Sequence, residues 1–197
     1  MTTHLYHLPR SRSTRVLWTL EELGEPHELS IITREESRGA EHRTRHPLGR
    51  NPVIADDGEH LFESAAIVLA LADRDEQGRL SFPLGSRERE LVYQWAFFAM
   101  LEIEAPTVIA RDEKERDPER HAAARERVRE AAAAVESALE GREFIVGDRF
   151  SAADIVLGSV LIFARDQGLL DDGFPAISRY IEALIARPAR AGAYSVA

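Results

Sequence analysis

Residues 46–71 read HPLGRNPVIADDGEHLFESAAIVLAL, and the predicted elements of the first half of the chain are arranged around them. Val53-Ile54 and Leu61-Phe62 are pairs of residues typical of strands. Asp57-Gly58 between them predicts a two-residue hairpin turn, because Gly adopts a positive φ without steric cost. The residues from Ser64 onward continue as a helix with a hydroxyl at its N-terminus. The stretch therefore predicts strand, hairpin turn, strand and helix in immediate succession.

The residues before this stretch add two strands and a helix. Residues 4–7 alternate like a short strand, and residues 15–24 place apolar side chains on one helical face before a terminal Gly24. Residues 28–32 alternate weakly and predict a second strand, and residues 34–45 predict a polar loop that includes a short helix. The resulting order, βαβαββα, is the one that a thioredoxin-like domain requires.

The second half of the chain has helical periodicity throughout. Gly78, Pro83 and Gly85 lie among polar residues and are typical of a linker. The sequence therefore predicts an α/β thioredoxin-like domain over residues 1–76, a linker over residues 77–86 and an all-helical domain over residues 87–197. Four helices are expected in the second domain, over residues 87–110 with a kink at Pro106, 118–141, 151–164, and 175–187 with Pro188 as its stop.

Residues 147–155, GDRFSAADI, form a helix-start motif. Ser151 is the expected N-cap and Asp154 the third helical residue, which is a capping box with Asp in place of the usual Glu or Gln. Phe150 and Ile155 occupy the two positions of a hydrophobic staple. A buried helix cannot have its first N–H groups solvated, so this cap should stabilise the fold by about 1–2 kcal/mol. Its predicted role is structural.

Composition narrows the classes of function. The chain has 197 residues, a net charge of −9 and no cysteine. The charge argues against a nucleic-acid partner, and the lack of cysteine excludes disulfides, thiolate metal sites and a cysteine nucleophile. No signal peptide is visible and no apolar run approaches roughly 18 residues, so we expect a cytoplasmic protein with no membrane partner.

A metal site is not expected either. His42 and His46 are four residues apart and are the one candidate pair of ligands on a helix. Zinc needs a further ligand at compatible spacing, and none is obvious. We therefore expect both to be surface histidines.

Two features of residues 46–71 call for a functional explanation. Pro52 opens a strand, where proline removes a hydrogen-bond donor, so a cis turn after Asn51 is expected. Glu63-Ser64 lies at a helix N-terminus, where free N–H groups favour an anion. An exposed extended backbone beside an anion pocket with a carboxylate suits a small zwitterionic peptide. A plain hairpin followed by a capped helix is the structural alternative.

PLGRNPVI followed by ESAAI resembles the glutathione-binding segment of the glutathione S-transferase family. The resemblance implies that Pro52 is cis and that the backbone of Asn51 pairs with the cysteinyl part of glutathione. It further implies that Glu63 and Ser64 hold the γ-glutamyl ammonium and carboxylate, and more weakly that Arg50 lies near the glycine carboxylate. The motif at residues 147–155 also resembles the family's capping motif, and the resemblance extends over essentially the whole chain.

Residues 8–16, LPRSRSTRV, resemble the region where serine-type members hold their activating hydroxyl. By spacing from Arg15, Ser11 matches the activating serine of delta-type enzymes. Ser13 matches a serine of the bacterial beta type, whose cysteine is replaced here by Arg12. Ser11 is the first candidate; Ser13, Arg12, a backbone amide and Tyr6 are alternatives, and the structural alternative is a hydroxyl that only caps the helix.

The resemblance implies a cytosolic glutathione S-transferase, serine-type and bacterial-like. Its first domain would activate the thiol of glutathione, and its helical domain would supply a pocket for an apolar electrophile. Glutathione would be a cosubstrate, with no cofactor and no metal, and the protein would be a homodimer. Two other functions stay open on the same fold. One is a glutathione-dependent disulfide reductase or peroxidase, and the other is a non-enzymatic interaction module.

Overall fold

The computed structural model describes residues 2–196 and contains two compact units. The first unit runs to Leu80 and includes the chain from Ala186 onward, and the second is Ser81–Ile185. The first is an α/β unit and the second is helical, so the predicted fold class is confirmed. Among the described residues no helix is both long and apolar enough to cross a membrane.

The first unit is built on a four-stranded mixed sheet with the strand order β2-β1-β3-β4. β1 pairs with β2 in parallel, and the β1–β3 and β3–β4 pairs are antiparallel. The strands are β1 (Thr3–His7), β2 (His27–Ile31), β3 (Val53–Asp56) and β4 (Glu59–Phe62). The helices are α1 (Ser13–Leu23), α2 (Arg34–Arg38), α3 (Ala40–Arg45) and α4 (Ser64–Arg74). The predicted order is thus found, with two short helices where one was expected.

The hairpin between β3 and β4 forms as its turn residues predict. Asp57 and Gly58 both have positive φ, 49° and 83°, which matches the right-handed twist of the flanking strands. Asp56 faces Glu59 in the register, so the loop has two residues. The hairpin leads directly into α4, whose buried face packs on α1.

The end of the chain differs from the sequence prediction. The helix predicted over residues 175–187 ends at Ile185, before Pro188. A further helix that the sequence did not predict, α10 (Pro188–Ser195), begins at Pro188, where a missing N–H is tolerated. α10 packs on α1, and the Arg187 guanidinium donates to both carboxylate oxygens of Glu22 at 2.6 and 2.8 Å. The last residues therefore belong to the first unit, although residues 87–197 were expected to form one helical domain.

The second unit contains five α-helices and one π-helical segment among the described residues. α8 is central, because nearly all of its residues are buried. The kink expected at Pro106 takes the form of a π-helical segment just before it, and Pro106 lies in the first turn of the following helix. The elements are α5 (Arg87–Phe98), the π-helical segment (Ala99–Glu104), α6 (Ala105–Glu113), α7 (Pro118–Ala138), α8 (Ala152–Asp166) and α9 (Pro175–Ile185).

Side chains cap most helices of the second unit. Ser86 accepts from the N–H of Arg89 at the start of α5, and Asp117 accepts from the N–H of Arg120 at the start of α7. Ser151 and Asp154 form the predicted capping box of α8, with the Ser151 N–H donating to the Asp154 carboxyl at 2.8 Å. These contacts satisfy N–H groups that a helix leaves without partners.

Candidate active site in the first unit

The main chain of the loop before β3 accepts a hydrogen bond from a histidine side chain. The Asn51–Pro52 peptide bond is cis, as the sequence predicts, and Pro52 is buried while Arg50 is exposed. The Nε2–H of His42, on α3, donates to the carbonyl of Arg50 at 2.9 Å. This bond fixes the main chain one residue before Asn51, whose backbone is the predicted ligand contact.

The expectation that His42 and His46 are surface residues is wrong. Their exposed fractions are only 2% and 3%. The His46 ring lies 4.7 Å from the Phe62 ring between centroids, and its Nδ1 accepts from the N–H of Leu48 at 3.1 Å. Burial lowers the pKa of His46, and the nearby Glu63 carboxylate opposes that shift. Both histidines therefore support the loop and hairpin that carry the predicted site.

The N-terminus of α4 is open and lies beside a buried cation. Its N-cap residue, Glu63, has a φ of 72°, is exposed, and makes no side-chain cap hydrogen bond among the described residues. Ser64 is 1% exposed, and Arg15 Nη1–H from α1 donates to its Oγ at 3.4 Å. Arg15 is itself 5% exposed. Free helix N–H groups, a hydroxyl and a guanidinium together favour a bound carboxylate.

The two predicted catalytic serines have different surroundings. Ser13 is fully buried: its Oγ accepts from the N–H of Leu8 at 3.0 Å and lies 2.9 Å from the Leu8 carbonyl oxygen. Ser11 is only half-buried, accepts from the N–H of Ser13 at 3.2 Å, and has its Oγ 2.9 Å from Ser13 Oγ. Of the two hydroxyls, only that of Ser11 is accessible to a ligand.

His7 lies behind these serines at the end of β1. Its side chain is fully buried, and its Nδ1 is 2.9 Å from Ser13 Oγ. Its Nε2 has no hydrogen-bond partner within residues 2–196. Burial lowers the pKa of His7, so the ring is neutral at neutral pH.

The other candidates for thiol activation lie less favourably. Tyr6 points to the face of the sheet opposite His7, because neighbouring strand residues alternate. There its ring contacts the Arg45 guanidinium at 4.3 Å and the His4 ring at 4.6 Å. Arg12 is the exposed N-cap residue of α1. The geometry thus favours Ser11 over Tyr6 as a donor to a ligand at the start of α1.

The structure links the first turn of α1 to the start of α4 through Arg15 and Ser64, and it adds residues that the sequence did not single out. The additional residues are Arg15, from α1, and His7, from β1. A polar residue at the last inward position of β1, after Thr3 and Leu5, was the available signal for His7. Arg15 carried no comparable signal, because its partner Ser64 is 49 residues away.

The second unit holds a cleft with a volume of about 430 Å³. The lining residues are Gly141, Arg142, Glu143, Arg179, Tyr180 and Ala183. In the part of the chain that the structure describes, no three His, Asp or Glu side chains are grouped to hold a metal ion.

Two family models match the chain along most of its length. The model for the N-terminal domain of glutathione S-transferase matches residues 10–74, and the model for the C-terminal domain matches residues 98–188. The first match contains every predicted site residue from Ser11 to Ser64.

Relatives and solved structures agree with these models. The chain is 46% identical over 65 residues to glutathione S-transferase 3 of Schizosaccharomyces pombe, covering 32% of this chain and 27% of that relative, so it spans only about a quarter of that protein. A glutathione transferase of Methylococcus capsulatus is 28% identical with a TM-score of 0.89, and 98% of this chain and 97% of that chain are covered. A sphingomonad glutathione S-transferase complexed with glutathione is 29% identical with a TM-score of 0.86, at 97% and 96% coverage. The chain belongs to the glutathione S-transferase family of enzymes.

Proposed function

We propose that this protein binds glutathione in its first unit, activates the thiol through Ser11, and transfers the glutathionyl group to an apolar electrophile. The observation that carries the proposal is the hydrogen bond from Arg15, in the first turn of α1, to Ser64 at the start of α4. It brings an accessible hydroxyl and an anion pocket into one unit. The sphingomonad relative, which is complexed with glutathione, supports the choice of ligand.

The two ends of the tripeptide need different partners. The uncapped N-terminus of α4, the Ser64 hydroxyl and Glu63 suit the γ-glutamyl carboxylate and ammonium, because they offer donors and an acceptor side by side. Arg15 adds a positive charge behind Ser64. The backbone of Asn51 pairs with the cysteinyl residue in this proposal, and Arg50 faces the glycine carboxylate.

The chemical task of the site is to stabilise a thiolate. A free thiol has a pKa of about 8.5 and is mostly protonated at neutral pH. A hydroxyl that donates to the charged sulfur contributes about 1.5–3 kcal/mol, which lowers the thiol pKa by roughly one to two units. The start of α1 acts in the same direction through its dipole. The thiol proton leaves to solvent, because Ser11 only donates a hydrogen bond and keeps its own proton. The thiolate then forms the sulfur–carbon bond, and the electrophile's leaving group departs with the electron pair.

The same thiolate also serves a glutathione-dependent disulfide reductase or peroxidase, so the reaction must be assigned by substrate. A panel of apolar electrophiles and one mixed disulfide, assayed side by side, separates the two activities. Turnover of the electrophiles supports the transferase. Turnover of the mixed disulfide alone assigns the protein to the reductases, and binding without turnover of any substrate fits an interaction module.

We also propose that the protein is a homodimer, and that it is cytoplasmic as the sequence predicts. Phe97 and Leu101, four residues apart in the second unit, are 62% and 58% exposed, and such large apolar side chains are usual at interfaces. Two-fold symmetry is the commonest arrangement of soluble oligomers. Sedimentation at micromolar concentration should give about twice the chain mass of 22.1 kDa. A single species at the chain mass contradicts this proposal.

The role of Ser11 is tested by the pKa of the bound thiol. The ultraviolet absorbance of the thiolate is titrated against pH in the wild type, in Ser11→Ala and in Ser195→Ala. Ser195 is an exposed serine of the same unit, so Ser195→Ala is a matched control that should change nothing. Ser11→Ala should raise the bound thiol pKa by roughly one to two units and slow conjugation at neutral pH about 10- to 100-fold.

Glutathione affinity should stay nearly constant in Ser11→Ala, because the hydroxyl contacts the sulfur and not the ends of the tripeptide. An unchanged thiol pKa in this variant contradicts the assignment. The activation would then rest on Arg12 or on backbone amides.

A further inference from the structure

A buried chain of three polar groups leads from His7 to Ser11. His7 Nδ1 lies 2.9 Å from Ser13 Oγ, and Ser13 Oγ lies 2.9 Å from Ser11 Oγ. The exposed fraction is 0% for His7 and for Ser13 and rises only at Ser11. The proposed activation of the thiol uses Ser11 alone and leaves the two inner groups without a role.

The hydrogen-bond capacity of Ser13 limits what Ser11 can do with its proton. A hydroxyl oxygen accepts two hydrogen bonds and donates one. The N–H of Leu8 already occupies one acceptor position of Ser13 Oγ. The second position is taken either by an Nδ1–H of His7 or by the hydroxyl of Ser11. If Ser11 fills it, the Ser11 proton points inward and cannot serve a thiolate.

The protonation state of His7 decides between these arrangements. Burial lowers its pKa, so one ring nitrogen carries the single proton. Nε2 has no partner among the described residues, and a buried N–H without an acceptor is rarer and costlier than a bare lone pair. The proton therefore belongs on Nδ1, from which it is donated to Ser13 Oγ. The proton of Ser13 then goes to the Leu8 carbonyl or to Ser11 Oγ, and both acceptors are 2.9 Å away.

We propose that His7 is a positioning residue for the transferase reaction: its Nδ1–H fills the last acceptor position of Ser13 and thereby keeps the Ser11 hydroxyl proton free for the thiolate. The inference rests on the proposed role of Ser11. His7 touches neither substrate nor the reacting atoms, and no proton moves through it during the reaction. It acts only through the direction of the two hydroxyls.

Three substitutions of His7 separate the effect of the Nδ1–H donor from the effect of the size and polarity of the ring. His7→Asn places an amide N–H at nearly the position of Nδ1, His7→Leu has the same shape without a donor, and His7→Gln moves the amide out to the position of Nε2. His7→Leu should raise the pKa of the bound thiol by roughly half a unit to one unit, and His7→Asn should restore it. The KM for glutathione should be the same in both. Equal thiol pKa values in His7→Leu and His7→Asn overturn the proposal.

His7→Gln keeps the test decisive if His7→Leu does not fold. It is polar like His7→Asn but its amide lies too far out to fill the acceptor position of Ser13. Its thiol pKa should be raised relative to that of His7→Asn, and equality of the two contradicts the inference.

The double variant Ser11→Ala with His7→Leu tells a failure of this inference from a failure of the proposed function. If His7 acts through Ser11, the double variant has the same thiol pKa as Ser11→Ala alone, because the effects of coupled residues do not add. A shift in Ser11→Ala but none in His7→Leu overturns only the role of His7. No shift in Ser11→Ala overturns both.

The tautomer of His7 can be measured directly in the wild-type protein. The ¹⁵N chemical shifts of the His7 ring distinguish a protonated Nδ1 from a protonated Nε2, and His7→Asn identifies the signal by its loss. A protonated Nδ1 is expected at neutral pH. A protonated Nε2 contradicts the proposal.

Discussion

The helices α1 and α8 both begin with a polar group around a serine, and they differ in how far its hydrogen bonds are satisfied. At α8 the Asp154 carboxyl accepts from the N–H of Ile145, the N–H and hydroxyl of Ser151, and the Tyr180 hydroxyl, at 2.8–2.9 Å. At α1 the Ser11 hydroxyl is half-exposed, so it can still meet a ligand. A saturated group stabilises the fold, whereas an open one leaves capacity for a ligand.

The same contrast separates α4 from α5 and α7. Ser86 and Asp117 cap α5 and α7 with side-chain oxygens. Glu63, the N-cap residue of α4, makes no such bond in the described part of the chain, although it is a residue that has the acceptor to do so. Helix N-termini without a side-chain acceptor bind anions well. The uncapped start of α4 and the half-buried Ser11 hydroxyl at the start of α1 are therefore the places to test for binding. The capped start of α8 is the place to test for stability.

The largest effect is expected at the saturated site. Asp154→Asn replaces one acceptor oxygen by an N–H₂ group that faces donors, so about two buried donors lose their partner. At about 1–3 kcal/mol for each, the free energy of unfolding should fall by about 2–6 kcal/mol. Chemical denaturation measures this. The affinity of the folded variant for glutathione should not change.

Asp148→Asn is the matched control, since Asp148 is exposed in the loop just before α8. Its free energy of unfolding should lie close to that of the wild type. A loss of glutathione affinity in folded Asp154→Asn would break the distinction between the two helix starts.

At the open start of α4, binding should suffer more than stability. Ser64→Ala removes the proposed hydrogen bond to the γ-glutamyl carboxylate, so about 1.5–3 kcal/mol of binding free energy should be lost. Titration calorimetry with glutathione gives the affinity, and Ser137→Ala, at an exposed serine of α7, is the control. If Ser64→Ala binds glutathione as the wild type does, the anion pocket lies elsewhere.

A smaller loss of stability is expected from the buried histidines when the pH falls. Burial lowers the pKa of His7 and of His46, so below about pH 6.5 the unfolded chain binds more protons than the folded one. The free energy of unfolding should therefore decrease as the pH falls from about 6.5 toward 5. Each group contributes at most about 1.4 kcal/mol per pH unit.

His7→Asn should make this loss of stability shallower, because it removes one of the two histidines whose pKa burial lowers. His60→Asn is the control at an exposed position of β4 and should keep the slope of the wild type. Denaturation curves between pH 7 and about pH 5 give the free energy of unfolding of the three proteins. If it falls with pH equally steeply in the wild type and in His7→Asn, His7 does not contribute to the pH dependence.

The parts of the molecule that the sequence predicted are those that local chemistry determines. Asp57-Gly58 specifies its hairpin through backbone preferences, and Ser151 with Asp154 specifies the start of α8 over three residues. The burial of His42 escaped prediction because its partner is a carbonyl in a different element. The packing of α10 escaped it because Arg187 and Glu22 are 165 residues apart.

The residues of the candidate site also fall into those that local sequence predicts and those that it does not. The residues of one continuous stretch, from Arg50 to Ser64, were available from the sequence as a motif. Arg15 and His7 contribute through contacts with residues of other elements, and only the folded chain brings these together. Periodicity cannot tell an inward polar residue with a partner from one without, so the open Nε2 of His7 was not predictable.

The smallest change in binding and stability is expected at Asn51. Its side-chain Oδ1 is buried without a hydrogen-bond partner among the described residues, and its backbone is the proposed contact with glutathione. Asn51→Ala should therefore leave glutathione affinity nearly unchanged. Removing an unsatisfied buried oxygen should leave the free energy of unfolding unchanged or raise it slightly, since no hydrogen bond is lost. Calorimetry and denaturation measure the two quantities on the same samples. A tenfold loss of affinity would assign the side-chain oxygen to the ligand, and Asn51 would then join the open groups of the site.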